Sequence, residues 1–217
     1  MISALLGKVA FDEQRLAKDL ALLEQHPPAP EVYSEFRVGT FHTYNLRNPC
    51  SEVNDTRLNA GNKDAGSTSL GVQLTYLDEL LNVLFEPSAI RMVRVMKIHA
   101  GMLFPNRDMV EFGEAGRKFT RVHVMLKTNP TALHSESSDV FRMEAGDRVS
   151  ACKWDTCCEQ SRSQPAIYDD GRFEQQVRSS LIVYATGVRP STPTMISRSE
   201  LTYEEIDEKT GEPTKCT

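Results

Sequence analysis

Chemistry is most legible in the run Phe119-Thr-Arg-Val-His-Val-Met-Leu126. Side chains alternate faces along a strand, so Val122, Val124 and Leu126 share one face. Arg121 and His123 share the other, with Phe119 and Met125. A guanidinium and an imidazole side by side read in two ways. They sit on a solvated outer face, or they line the interior of a closed barrel that takes an anionic ligand. Spacing alone leaves both open. Arg178 stands just before the apolar Leu181-Ile-Val-Tyr-Ala185, where a cation commonly guards a strand edge. Arg94, within Arg91-Met-Val-Arg-Val-Met-Lys97, shares a face with Met92 and Met96. Arg91 and Lys97 on the opposite face leave its inside-outside assignment undecided.

A third group is Pro105-Asn-Arg-Asp108. Asn106 and Asp108 are two apart and share a face at a strand end, where two oxygen-bearing side chains contribute to a hard-metal site. The same tetrad is also an ordinary turn signal. Cys152, Cys157 and Cys158 with His134 are zinc ligands by type only. No Cys-x-x-Cys pair occurs, and the adjacent thiols do not both reach one ion with ease. Incidental free thiols are the expected reading.

The elements that must position these residues follow a helix-then-strand order. Asp12 is a helix cap, and Leu16, Leu20 and Leu23 form one apolar stripe of a helix near 12–26 that Pro27 and Pro28 end. A short strand is expected at Val9–Phe11 and another within Phe36–Leu46. A polar, turn-rich loop runs from Arg47 to Gly71. Leu74, Leu77, Leu81 and Leu84 mark a second helix near 73–86. Beyond Pro87 the period shortens: Ile90–Ile98, Phe119–Leu126, Val140–Met143 and Leu181–Ala185 are strands separated by turn residues. Asp147–Gln176 fits no period and reads as irregular. The pattern is α+β with a β-sandwich or barrel core. One domain over 1–202 and a frayed polar tail over 203–217 are expected.

Bulk properties narrow the class. The 217 residues suffice for one substantial core, with 40% hydrophobic and 25% charged residues. A formal net charge of -5 without a long basic run speaks against a nucleic-acid surface. No apolar run approaches the ~20 residues that span a bilayer. The N-terminal segment lacks a positive region and turns acidic too early for a signal peptide. Five cysteines, two of them adjacent, do not form a disulfide framework, so a cytoplasmic setting is expected.

Taken in order, several short motifs carry a resemblance. They are Leu6-Gly-Lys-Val-Ala-Phe-Asp-Glu-Gln-Arg-Leu16, Tyr76-Leu-Asp-Glu-Leu-Leu81, Ile90-Arg-Met-Val-Arg-Val95 on to Ile98, Phe104-Pro-Asn-Arg-Asp108, Arg121-Val-His-Val124, Met143-Glu-Ala-Gly-Asp147 and Arg178. Together they resemble the free-proline cis-hydroxylases of the aspartyl/asparaginyl/prolyl β-hydroxylase family, which are iron(II)- and 2-oxoglutarate-dependent dioxygenases. The resemblance runs from the start to Gly146, blurs to about Gln176 and returns at Arg178. It implies a double-stranded β-helix, a cupin-like jelly-roll barrel of eight core strands flanked by the N-terminal helices. It also places Arg121 and His123 in the barrel. By motif, Arg178 resembles the arginine that grips the distal carboxylate of 2-oxoglutarate, a planar bidentate match. His123 resembles a second co-substrate contact, Arg121 a lumen residue serving a carboxylate, and Asp108 the metal carboxylate.

The departures from the family pattern are specific. Asn106 stands where the family has the histidine of His-Arg-Asp, and an amide oxygen is a far poorer iron(II) ligand than imidazole. The distal histidine belongs between Gly146 and Arg178, where none occurs. Counting forward from Gly146 suggests Cys157; counting back from Arg178 suggests Tyr168. A Trp-Phe-Leu-Asp strand is replaced by Val149-Ser-Ala-Cys-Lys153. The family's C-terminal helical part is missing after the opening Ser199–Ile206. Among other histidines, His26 and His42 precede the barrel, His99 ends a different strand, and His134 falls in a turn region over 130–138, so none is expected to complete the metal site. The resemblance implies an iron(II)/2-oxoglutarate hydroxylase of a free amino acid, with proline first, whose metal site is degraded. The alternative is an inactive pseudoenzyme that keeps an anion pocket. A third reading has other ligands, such as Asn106, Asp108 and Cys157.

Overall fold

The computed structural model describes residues 4–29, 41–55, 64–99, 103–106, 119–129, 132–136, 139–151, 157–161, 178–186, 194–195, 204–206 and 213–215. Two helices, α1 (Glu13–Gln25) and α2 (Thr75–Leu84), accompany fourteen strands among these residues. The strands are β1 (Ala4–Lys8), β2 (Phe41–Asn48), β3 (Gly66–Ser67), β4 (Ile90–Ile98), β5 (Leu103–Asn106), β6 (Phe119–Lys127), β7 (Ala132–Glu136), β8 (Asp139–Phe141), β9 (Asp147–Ala151), β10 (Cys157–Ser161), β11 (Arg178–Thr186), β12 (Thr194–Met195), β13 (Glu204–Ile206) and β14 (Pro213–Lys215). Eight form one sheet in the order β12-β1-β9-β6-β11-β4-β2-β3. Four form a second, β5-β10-β7-β8, and β13 pairs with β14. The pairings are antiparallel throughout.

Local chemistry explains where the helices sit. The Asp12 side chain accepts a hydrogen bond from the Arg15 N–H at 3.1 Å and starts α1, and Leu16, Asp19 and Leu23 face inward. Helix α2 has no side-chain cap of its own, since its N-cap is Leu74. The buried Asp19 carboxylate serves instead, accepting from the Leu77 N–H at 2.9 Å. A residue of α1 therefore caps α2 and fixes one helix against the other. Leu77 and Leu81 of α2, with Leu16 and Leu23 of α1, pack on Val93, Val95, Val122, Val124, Leu181, Val183 and Ala185. This cluster is the main core, and it lies on one face of the large sheet. A smaller cluster of Met125, Phe141, Met143 and Val149 lies on the other face. Turn Met143-Glu-Ala-Gly-Asp147 joins them. Its Gly146 has φ +91° and a Cβ there would stand 2.3 Å from the Val9 carbonyl, so only glycine fits.

Several elements differ from the sequence reading. The N-terminal strand is Ala4–Lys8 rather than Val9–Phe11, because Lys8 and Leu5 pair with β9 and the Val9 N–H bonds the Gly146 carbonyl. The segment read as irregular holds β9 and β10, strands without hydrophobic alternation that are held by backbone pairing on both sides. His134 lies in strand β7 rather than in a turn, in a hairpin whose Glu136 pairs with Asp139. His42 does not precede the sheet; it sits within it, on β2. The loop over 47–71 contains β3, which pairs with Arg47 and Asn48. In the 203–217 tail, read from sequence as frayed, Glu204–Ile206 (β13) pairs with Pro213–Lys215 (β14).

Candidate functional site

The site is built by strand alternation in the large sheet. On β6, Val122, Val124 and Leu126 enter the helix-packed core, while Arg121, His123 and Met125 are buried on the opposite face. On β11, Leu181 and Val183 go to the helices, which leaves Ser180, Ile182 and Tyr184 with Arg121 and His123. On β4, Val93 and Val95 go to the helices, which leaves Met92, Arg94 and Met96. Register aligns these inner residues into rows. One row is Arg94–Ile182–His123–Val149, and the next is Met92–Tyr184–Arg121. Arg94, undecided from sequence, is thus an inner residue, 7% exposed, with its Nη2 3.1 Å from the Met92 sulfur.

The second sheet closes over this face. The His134 ring of β7 lies with its centroid 6.0 Å from that of His123, the planes at 65°. Both histidines are only 1% exposed. On its other side His134 meets Phe141 at 4.7 Å, so the apolar cluster of Met125, Phe141, Met143 and Val149 forms a floor beside the imidazoles. Among the side chains whose burial is described, the buried ionisable ones of this interior are Arg94, Arg121, His123 and His134. Burial of guanidinium groups in a low-dielectric interior is costly unless negative charge compensates it. Such an interior suits an anion, and most of all a carboxylate, which guanidinium binds through paired hydrogen bonds.

Two of the expected metal residues, Asn106 and Cys157, belong to strands of the second sheet. Asn106 ends β5, and Cys157, the first residue of β10, stands directly opposite it in register. Tyr168, the alternative, and Asp108 lie outside the described residues. Arg178 opens β11 opposite Ile98, two residues before the fully buried Ser180. Among the described residues no group of three His, Cys, Asp or Glu side chains is arranged to hold a metal ion. An amide opposite a thiol does not reproduce the two-imidazole, one-carboxylate donor set that iron(II) oxygenases use.

His99 and His42 come together elsewhere, where β2 meets the end of β4. Their ring nitrogens are 3.3 Å apart, beside the Lys97–Glu24 ion pair at 2.6 Å. Burial pushes the His99 imidazole below its ordinary value, and His42 and Lys97 push the same way against Glu24. Sequence reasoning missed His134 and left Arg94 undecided. His134 was hidden because Pro130 and the serine-rich flank read as a turn. The two-residue connection between β7 and β8 was the available hairpin signal.

Two antiparallel sheets closing over a cationic interior, with two helices bracing the outer face, make a jelly roll of the kind found in 2-oxoglutarate oxygenases. A 2OG-Fe(II) oxygenase-family oxidoreductase from Burkholderia pseudomallei shares it, with a TM-score of 0.52, 15% identity, and 85% and 84% of the two chains covered. No family model matches the chain. Among curated proteins, L-proline cis-3-hydroxylase 2 of Streptomyces sp is 29% identical over 203 residues, 89% of this chain and 70% of its own. L-proline cis-4-hydroxylase of Rhizobium meliloti (strain 1021) is 34% identical over 148 residues, 68% of this chain and 51% of its own. The chain belongs to the aspartyl/asparaginyl/prolyl β-hydroxylase family of iron(II)- and 2-oxoglutarate-dependent dioxygenases, beside the free-proline cis-hydroxylases. No described helix is long and apolar enough to cross a membrane.

Proposed function

We propose that this dioxygenase-family protein binds 2-oxoglutarate, or a dicarboxylate of that shape, in the interior between its sheets, and that its iron centre is degraded. The observation that carries the reading is the buried set Arg94, Arg121, His123 and His134. Within a double-stranded β-helix, Arg178 would take the distal carboxylate in a bidentate pair, with His123 and Arg121 at the other end of the dianion. The apolar floor of Met125, Phe141 and Val149 excludes water and strengthens each charged contact. Iron(II), where the family binds it, supplies oxygen activation. Here Asn106, Asp108 and Cys157 would offer a weak donor set, so ordinary proline hydroxylation is not the expected activity. The second reading, a working free-amino-acid hydroxylase, draws on the names of the proline-hydroxylating relatives. A cytoplasmic setting and a small-molecule partner, with no nucleic acid, accompany both.

Calorimetric titration of 2-oxoglutarate into the protein in EDTA tests the proposal. Saturable binding that weakens at least tenfold in Arg121→Gln and Arg178→Gln supports it. Absence of binding at millimolar ligand, or binding indifferent to both substitutions, contradicts it.

A further inference from the structure

A cleft of about 560 Å³ opens on the helix side of the large sheet, between α1 and residues of β2, β4, β6 and β11. It lies on the face opposite the one that carries Arg121 and His123. We propose that this cleft is a small-molecule site of its own, which takes a free monocarboxylate with an apolar chain. The chain lies along α1, and the carboxylate meets Lys127 and the Tyr44 hydroxyl.

The apolar walls follow from the two periodicities that build the core. Leu16, Leu20 and Leu23 of α1 form one wall, and Val95 and Leu126 of the sheet form the other. All five belong to the main core cluster or pack against it, so the cleft continues that core where helix and sheet leave room. Its volume falls within the roughly 300–1,000 Å³ of ordinary ligand pockets, which are mostly apolar with a few polar groups that fix orientation.

Register sets the polar end. Lys97, Ser179 and Lys127 stand side by side on β4, β11 and β6, and all three line the cleft. A bulge opposite Ser179 and Ser180 leaves Leu126 as the extra residue of β6, which brings Leu126 and Lys127 to the same cleft. Lys97 is committed to Glu24 of α1 at 2.6 Å. That hydrogen bond holds the Glu24 carboxyl below its ordinary range, and the charge of Lys127 adds to the effect. Lys97 thus neutralises Glu24, and the exposed Lys127, which has no hydrogen bond or ion pair to a described residue, is the unbalanced charge. The other acidic residue of the lining, Glu13, opens α1 about 16 Å away at ~1.5 Å per residue. Two hydroxyls complete the polar end. Tyr44 is 4% exposed and Ser179 5%, and neither hydroxyl is hydrogen-bonded to a described residue. Burial, and then the Glu24 charge, push the Tyr44 hydroxyl above its ordinary value, which keeps it a donor at neutral pH. A buried hydroxyl without a partner is costly. A carboxylate that accepts from Tyr44 and from Lys127 removes that cost through charge-assisted hydrogen bonds.

The test is a calorimetric titration of octanoate into the full chain, run with and without excess 2-oxoglutarate. Saturable binding of one equivalent is expected under both conditions. Affinity should fall roughly tenfold in Lys127→Glu and several-fold in Tyr44→Phe, as one charge-assisted contact is lost in each. Octylammonium, with the same chain and the opposite charge, should bind about tenfold more weakly than octanoate. Lys127 is exposed and Tyr44→Phe keeps the ring, so unchanged near-ultraviolet circular dichroism is expected of both variants. Should either unfold, the octanoate–octylammonium comparison on the wild-type chain decides alone. No saturable binding at millimolar octanoate, equal affinity for octylammonium, or affinity unchanged in both variants overturns the proposal. So does octanoate that binds only without 2-oxoglutarate, since it would then occupy the interior between the sheets. Failure of 2-oxoglutarate to bind leaves the octanoate result readable, so either proposal can fail without the other.

Discussion

Replacing Asp19 by alanine isolates the device that locks the helices onto the sheet. The first amides of α2 have no partner within the helix, and Leu74 offers no capping side chain. The Leu77 N–H is instead satisfied by the Asp19 carboxylate at 2.9 Å, inside the interface between α1 and α2. Asp19 is 3% exposed and Leu77 wholly buried, so water cannot easily take over the contact. A hydrogen bond to a charged group contributes about 1.5–3 kcal/mol, and loss of a helix cap typically costs ~1 kcal/mol and up to about 2. Asp19→Ala should therefore destabilise the protein by about 2–3 kcal/mol. For a chain of this length each kcal/mol lowers Tm by about 2–4 °C, giving roughly 4–12 °C in all. Asp19→Asn keeps an oxygen acceptor and loses the favourable charge at the helix N-terminus, worth about 0.3–1 kcal/mol. Urea unfolding and thermal scans of the three proteins provide the measurement. If Asp19→Ala falls within about 0.5 kcal/mol of wild type, or Asp19→Asn is as damaging as alanine, the capping argument is wrong.

Three further outcomes follow from the same structure. Leu77→Ala, at a fully buried site, should cost about 2–5 kcal/mol in urea unfolding, while Val83→Ala, 82% exposed, should stay within about 0.5 kcal/mol. Gly146→Ala should lower Tm measurably, because the positive φ and the Val9 carbonyl at 2.3 Å both reject a Cβ. His99, depressed below its ordinary value of 6.5 chiefly by burial, contributes stability that is complete above that value and lost as pH falls through the depressed one. Stability measured from pH 7.5 down to 5 should therefore decline more steeply in wild type than in His99→Gln.

Strand phase was the part of this fold that the sequence displayed best. Val122-His123-Val124 alternates an apolar and a polar side chain, and the structure sends the valines to the helices and the histidine inward. The helices were legible because Asp12, Leu16 and Leu23 follow the 3.6 period and Pro27 ends it. Strands β9 and β10 were not, since Cys157–Ser161 has little apolar alternation and is held by its neighbours' backbones. For the site, Arg121 and His123 were visible as a face, but their burial required the family resemblance to decide. Arg94 and His134 needed three dimensions, because register and the closing sheet bring them to His123. The trans cap at Asp19 was also invisible, since its partner is 58 residues away.

The central claim is that the chain keeps the family's dicarboxylate pocket while its metal residues no longer support hydroxylation. The most direct measurement is succinate release from 2-oxoglutarate, with iron(II), ascorbate and L-proline under air, using a preparation already shown to bind 2-oxoglutarate. The account predicts no succinate above the protein-free control, and none from Asn106→His either, because the distal ligand is still lacking. Proline-dependent succinate from the unmodified chain would contradict the account and show that other side chains complete the iron site.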